Sequence, residues 1–123
     1  MWKEAVIVFI GSGLGGVVRL TLSRNIVSEN FPWATLSANI LACFILGTTI
    51  ALAENKGIIS PTMRLFLTVG FCGGFSTFST FSNETLQLIH MGNYNAATIN
   101  VVASIVLCIG CTFLGMLLGS KLF

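Results

Sequence analysis

The sequence predicts an all-α integral membrane protein of four transmembrane helices, the third helix broken at a Gly-rich centre. Three observations carry that reading. Hydrophobic residues make up 54% of the chain and charged residues only 8%, against roughly 25% charged in an ordinary soluble domain, and the mean hydropathy is +0.92. Apolar stretches of membrane length run over residues 5–22, 33–53, 63–90 and 96–118, each close to the ~20 residues a bilayer-crossing helix needs. The third stretch contains Gly70-Phe71-Cys72-Gly73-Gly74-Phe75-Ser76-Thr77-Phe78-Ser79-Thr80-Phe81-Ser82, a run poorly suited to simple crossing. Its glycines loosen a helix, because Gly lies about 1 kcal/mol below Ala in propensity. Irregular backbone survives in hydrocarbon only where protein buries it or a polar cavity runs past it.

The same numbers set limits. A chain of 123 residues holds four spans and short loops, so residues 1–123 read as a single four-span membrane domain without an extramembrane catalytic module. The net charge of +2, with no basic run, speaks against nucleic acid. No Ser/His/Asp set, metal-ligand cluster or phosphate loop is present, which speaks against an enzyme. The first apolar stretch is followed by no signal-peptidase-like site and reads as a retained span.

In the first span, Gly11 and Gly15 stand at G-x-x-x-G spacing beside Gly13 and Gly16, and such small residues let another helix approach closely. Arg19 falls just inside the membrane boundary, where an arginine pairs, snorkels or borders a polar vestibule. Phe31-Pro32-Trp33 opens the second span, Pro suiting a first helical turn and Trp a membrane interface. Thr35 and Asn39 lie four apart on one face of that span. Asn39 sits too deep to be a cap, which leaves interhelical glue or a pore lining open.

Glu54-Asn55-Lys56-Gly57 forms a polar loop, and Ser60-Pro61 starts the long third segment. If Gly73-Gly74 interrupts it, two half-helices meet at the centre. Continued as a helix, Thr77, Thr80, Phe81 and Glu84 fall within about 100° of arc, with Phe78 beside Phe81. His90 reads as an interfacial residue. In the fourth span Asn100, Ser104, Cys108, Cys111, Gly115 and Gly119 form one stripe at helical spacing, polar at its first end and purely small beyond. Cys108-Ile-Gly-Cys111 has C-x-x-C spacing, but with no Lys or His nearby to make a thiolate these cysteines, with Cys43 and Cys72, read as packing residues. Lys3, Lys56, Arg64 and Lys121 lie on one side of the membrane against Arg24 and Arg19 on the other, a small bias for the positive-inside rule.

A break of this kind offers partial charges of both signs. Hydroxyl hydrogens and the positively polarised ring edges of phenylalanine suit a small anion, and carbonyls freed from the helix suit a cation. Glu84, a carboxylate well inside a span, is a functional candidate by its position. One small bundle can hardly surround a polar path, so the residues alone point to a pore or transporter shared between two chains.

The run from Gly70 to Ser82 closely resembles the signature of the bacterial fluoride channel family (Fluc, also called CrcB). Resemblance extends to the Gly-rich run ending in Arg19, to Pro32-Trp33-Ala34-Thr35-Leu36-Ser37-Ala38-Asn39, to Glu84 and to the four-span length. It implies an antiparallel, dual-topology homodimer in the bacterial inner membrane that exports fluoride passively through two pores, each built from both subunits. It also implies a structural Na⁺ at the dimer centre, held by backbone carbonyls that correspond to Gly73 and Ser76. By the same resemblance Phe78, Phe81, Asn39, Thr80, Ser104 and Glu84 belong to the fluoride path and Arg19 to its vestibule. Ser76 stands where the family commonly has Thr, a change that spares a carbonyl ligand, and Asn100 stands where some members have Tyr.

Fluoride is small and tightly hydrated, so a selective pore must replace its water with donors. The membrane potential drives such an anion outward with about 2.3 kcal/mol per 100 mV. The weak charge bias leaves a paired homologue of opposite topology as the other form of the dimer. The alternative function is a small dual-topology proton-coupled multidrug exporter, which resembles this chain in length. That class carries its carboxylate in the middle of the first span, whereas Glu4 sits at the very start here.

Overall fold

A computed structural model of the chain describes residues 1–121. Four segments are long and apolar enough to cross a membrane. The first is α1 (Trp2–Asn25) and the second α2 (Trp33–Lys56). Gly57, in the left-handed region at φ 57°, closes α2, a conformation that costs glycine nothing for want of a Cβ. Ser60 then caps α3 (Pro61–Leu65) by accepting the Met63 N–H at 3.2 Å, with Pro61 at the first helical position. An ion pair of 3.3 Å between Arg64 and Glu54 ties the two sides of this loop.

The third membrane segment is not one helix. After α3 the chain winds as a π-helix over Phe66–Cys72, returns to α over a short α4 (Gly73–Phe75), and is extended at Ser76 and Thr77. Helix resumes as α5 (Phe78–His90), turns at Met91–Gly92, and continues as α6 (Tyr94–Lys121). The interruption therefore lies at Ser76–Thr77. Gly73 and Gly74 remain helical, because what they supply is room rather than irregularity.

That room is taken by α1. A Cβ on Gly74 would stand 2.8 Å from Ser12 Cα, one on Gly11 2.8 Å from the Phe66 carbonyl oxygen, and one on Gly15 2.7 Å from the Phe75 nitrogen. Of α1 only Gly11 and Gly15 are buried, so the helix leans on the third segment through its glycines and turns its large apolar residues, such as Phe9 and Val17, outward. Gly13 and Gly16 meet nothing. On the other side α6 packs along α2. A Cβ on Gly115 would lie 2.9 Å from Thr48 N and one on Gly47 3.1 Å from Met116 N, backbone approaches that small residues permit. The far half of the fourth-span stripe, Gly115 and Gly119, is buried in this contact.

Between the two pairs a small core forms from Ala38, Ala42, Cys72 and Phe75, with Leu22, Ile45, Leu46 and Phe71 packed on it. It anchors α2 to the half-helix that precedes the break. Most large apolar side chains of α1 and α6 are exposed. In water a surface of this kind marks an interaction face; on four membrane-length helices it is a surface for lipid or for another protein. The chain is a multi-pass membrane protein.

Candidate functional site

Breaking a helix leaves N–H and C=O groups without partners, each costly inside a bilayer. The turn through Cys72 still closes: Ser76 donates both its N–H (2.9 Å) and its Oγ (2.7 Å) to the Cys72 carbonyl. Continuation would send the Thr77 N–H to the Gly73 carbonyl and the Phe78 N–H to the Gly74 carbonyl, by the i→i−4 pattern. Neither is made. The Thr77 N–H is donated instead to Asn39 Oδ1 at 2.8 Å, and Asn39 Nδ2 is 3.4 Å from the Thr77 carbonyl. The Gly74 carbonyl accepts from Arg19 Nε at 3.2 Å. Asn39 from α2 and Arg19 from α1 thus stand in for a missing turn of backbone.

Thr77 then starts the next helix. Its Oγ1 accepts the Thr80 N–H at 3.1 Å and donates to Thr80 Oγ1 at 3.1 Å, the N-cap arrangement that threonine favours three residues before its partner. Both flanks of the break thus find partners for some of these groups, and the Gly73 carbonyl is among those that do not. Among the described residues no hydrogen bond reaches the Gly73 carbonyl, whose natural donor, the Thr77 N–H, has gone to Asn39. Gly73 is exposed and, with Ser76 and Thr68, borders a cleft of about 240 Å³ between α2 and the third segment.

Beyond the break a second groove, also of about 240 Å³, is lined by Asn39, Ser76, Thr77, Phe78, Phe81 and Ser104 together with Cys43, Ile105 and Cys108. The rings of Phe78 and Phe81 lie 5.5 Å apart at 41°, so edges as well as faces are presented to the space beside them. Phe78 is 79% exposed, its ring projecting from the bundle. None of the side chains lining this groove is acidic. An amide carries two N–H donors; Asn39 commits one to Thr77 and keeps one. Ser104 Oγ reaches Asn100 Oδ1 at 3.5 Å, Asn100 Nδ2 donates to Thr85 Oγ1 at 2.9 Å, and Thr85 Oγ1 donates to the Phe81 carbonyl at 2.7 Å. This relay locks α6 to α5 directly behind Phe81. Asn100, 1% exposed, is thereby a buried strut and not a lining residue.

Of the residues singled out in the sequence, Asn39, Ser76, Phe78, Phe81 and Ser104 meet in the groove. Thr80 sits behind it on Thr77, Gly73 borders the neighbouring cleft, and Arg19 holds the break from the α1 side. Glu84 stands apart. It accepts a hydrogen bond of 2.5 Å from Thr35 Oγ1 and faces a cleft of about 100 Å³ with Ser28, Glu29, Pro32 and Gln87 at the end of the bundle. Sequence reasoning passed over Thr77 as a cap and Thr85 as a bridge. The spacing Thr77-Phe-Ser-Thr80 carries the cap signal, whereas nothing local marks Thr85.

The chain is similar to known proteins over nearly its whole length. A family profile described as "CrcB-like protein, Camphor Resistance (CrcB)" matches residues 6–116. Among similar curated proteins, the fluoride-specific ion channel FluC of Phocaeicola vulgatus is 42% identical over 120 residues, covering 95% of each chain. The protein of the same name from Pyrococcus furiosus is 44% identical over 120 residues, 97% of this chain and 98% of that one. A third, from Pelobacter propionicus, is 38% identical over 118 residues, 94% and 92%. With a match of that extent running through both flanks of the break, the chain belongs to the CrcB family, the fluoride channel family, whose members are channels and not enzymes.

Proposed function

We propose that this protein is a fluoride-selective channel that lets the anion leave the cytoplasm passively across the bacterial inner membrane. The observation that carries the reading is the groove in which Asn39, Phe78, Phe81 and Ser104 converge without an acidic side chain. A small, strongly hydrated anion gives up water only where donors replace it. The free Asn39 amide hydrogen and the edges of two rings are the donors at hand, and the hydroxyls of Ser76, Thr77 and Ser104 join them by rotating away from the oxygens they now serve. The two rings, in contact with each other at 5.5 Å between centroids, form one wall of the path, and a second wall set against them would narrow it against larger halides. Thr80 supports the groove through Thr77, Arg19 borders the vestibule, and Glu84, though outside the groove, stands in this proposal at the polar end of the path. The names of the similar proteins point to the same ion.

A groove open on one side needs a second wall. The exposed rings and apolar faces of α1 and α6 fit a second copy of the chain, or a paired homologue, inserted in the opposite sense to give an antiparallel dual-topology dimer. Its centre suits Na⁺: the carbonyls of Gly73 and Ser76 are hard oxygen donors of the kind that unwound membrane helices use for this ion, and the Gly73 carbonyl has no donor of its own among the described residues. One chain supplies two such oxygens and a two-fold axis doubles them. The ion would join the two breaks and fix their spacing. No observation favours the proton-coupled exporter, since Glu84 is held by Thr35 outside the groove.

Purified protein in liposomes is expected to release fluoride and retain chloride once an ionophore dissipates the charge. Phe78→Ile and Phe81→Ile are expected to cut that flux with the assembly intact. Absence of fluoride release from the wild-type protein, or equal release of chloride, would overturn the proposal.

A further inference from the structure

Four cysteines lie in the membrane segments, and two of them share the groove. Cys43 is one helical turn beyond Asn39 on α2, and Cys108 is one turn beyond Ser104 on α6. Both side chains line the groove, one turn before the place where Gly47 of α2 meets the Thr112 backbone of α6, so the packing of the two helices brings them to the same stretch of wall. Both are half-buried, so they are reachable from the cavity without being free in lipid. The C-x-x-C spacing of Cys108 and Cys111 drew attention in the sequence, yet the partner of Cys108 in the groove comes from another helix.

We infer that Cys43 and Cys108 form a two-thiol site for a soft monovalent cation, Cu(I) or Ag(I), and that its occupation closes the groove. Thiolate sulfur selects soft ions. Among the described residues no third His, Cys, Asp or Glu joins the pair, which disfavours the four-ligand zinc sites of proteins and suits an ion content with two sulfurs. One thiol proton leaves to bulk water as one monovalent cation enters, giving a sulfur–metal–sulfur bridge in which the second sulfur bonds through its lone pair, so the net charge of the site is unchanged. The preference for a soft monovalent ion rests on the two-sulfur ligand set. The bridge sits one turn from Asn39 and Ser104, between the walls that the anion must pass. Its effect on transport rests on the channel reading, whereas the binding itself does not.

Silver is the probe, supplied as the nitrate in chloride-free buffer because its fluoride is soluble and its chloride is not. Equilibrium dialysis of the detergent-solubilised protein is expected to find one tight silver ion per chain, with one proton released for each ion bound. Cys43→Ser and Cys108→Ser are each expected to lose that ion, and Cys72→Ser and Cys111→Ser to keep it. In liposomes, the ratio of fluoride flux with silver to flux without it is expected to collapse for the wild type and Cys111→Ser. That ratio should stay near unity for Cys43→Ser and Cys108→Ser, and a thiol reagent should restore the wild-type flux. Silver binding that survives both serine variants, or tight binding that leaves flux untouched, would overturn the inference. A wild type that moves no fluoride even without silver would instead defeat the channel reading, with the dialysis still deciding the thiol pair.

Discussion

Asn39 shows how much one side chain can settle. Its Oδ1 takes the N–H that Thr77 would have given to Gly73, its Nδ2 leans on the Thr77 carbonyl, and the residue itself lines the groove. If the groove carries the anion as proposed, structure and transport depend on the same amide. Asn39→Ala leaves the Thr77 N–H without a partner, at a cost of about 1–3 kcal/mol. The variant is expected to melt earlier in detergent and to lose fluoride flux together. Flux lost with an unchanged melting point would separate the two roles and count against the amide as the holder of the break. The sequence marked Asn39 by its depth in an apolar span, but its partner lies 38 positions away and no local pattern points to it. Phe78 and Phe81 were legible because they stand three apart in one motif. The meeting of Cys43 and Cys108 in one groove was not, since it comes from the packing of two helices.

At the level of elements, the glycines separate into those that touch and those that do not. Hydropathy alone marked four spans, and G-x-x-x-G spacing marked Gly11 and Gly15 as a close-approach face; both are the buried residues of α1. Where the helix gives way was less legible. Glycine reads as a breaker in a sequence, yet Gly73 and Gly74 stay helical and the extended residues are Ser76 and Thr77. Local propensity yields here to packing: Gly74 is spent on Ser12, and the interruption comes where Asn39 and Thr77 can satisfy it. Gly15→Ala drives a methyl group against the Phe71 carbonyl and the Phe75 nitrogen, an overpacking that costs about 1–3 kcal/mol. Gly13→Ala meets nothing and gains helix propensity of up to about 1 kcal/mol. Thermal unfolding in detergent is expected to fall for the first and to hold or rise for the second. Equal loss in both would mean that α1 does not seat on the break through Gly15.

For the whole molecule, the groove is open on one side: it has walls on α2, α5 and α6 and lies beside a ring that is 79% exposed, which is where the proposed second chain would sit. If the two breaks meet on a shared Na⁺, replacing Na⁺ with a large organic cation on both faces of the liposome is expected to slow or stop fluoride flux. Restoring Na⁺ should return it, and flux indifferent to Na⁺ would remove the central ion from the scheme. The antiparallel arrangement was suggested in the sequence only by the near balance of Lys and Arg between the two sides. Charge counts in loops say how strongly a chain is oriented, not what it pairs with.

The substitution of Asn39 and Arg19 for a turn of backbone also has a consequence for the order of events as the chain enters the membrane. Alone in lipid, the third segment would pay several kcal/mol for each unsatisfied amide or carbonyl, and the groups that satisfy them belong to α1 and α2. Crossing as an unbroken helix is then the cheaper early state, and the interruption opens only as the first two helices dock. A synthetic peptide spanning residues 61–90 should accordingly be helical without a gap in lipid micelles, its Thr77 amide protected from hydrogen exchange by the Gly73 carbonyl. An exchange-labile Thr77 in the peptide would mean that the break is intrinsic to the segment. The oxygen that the assembled protein leaves bare at Gly73 would thus be made by assembly itself, so that a monomer helix caught early has nothing yet to offer a cation.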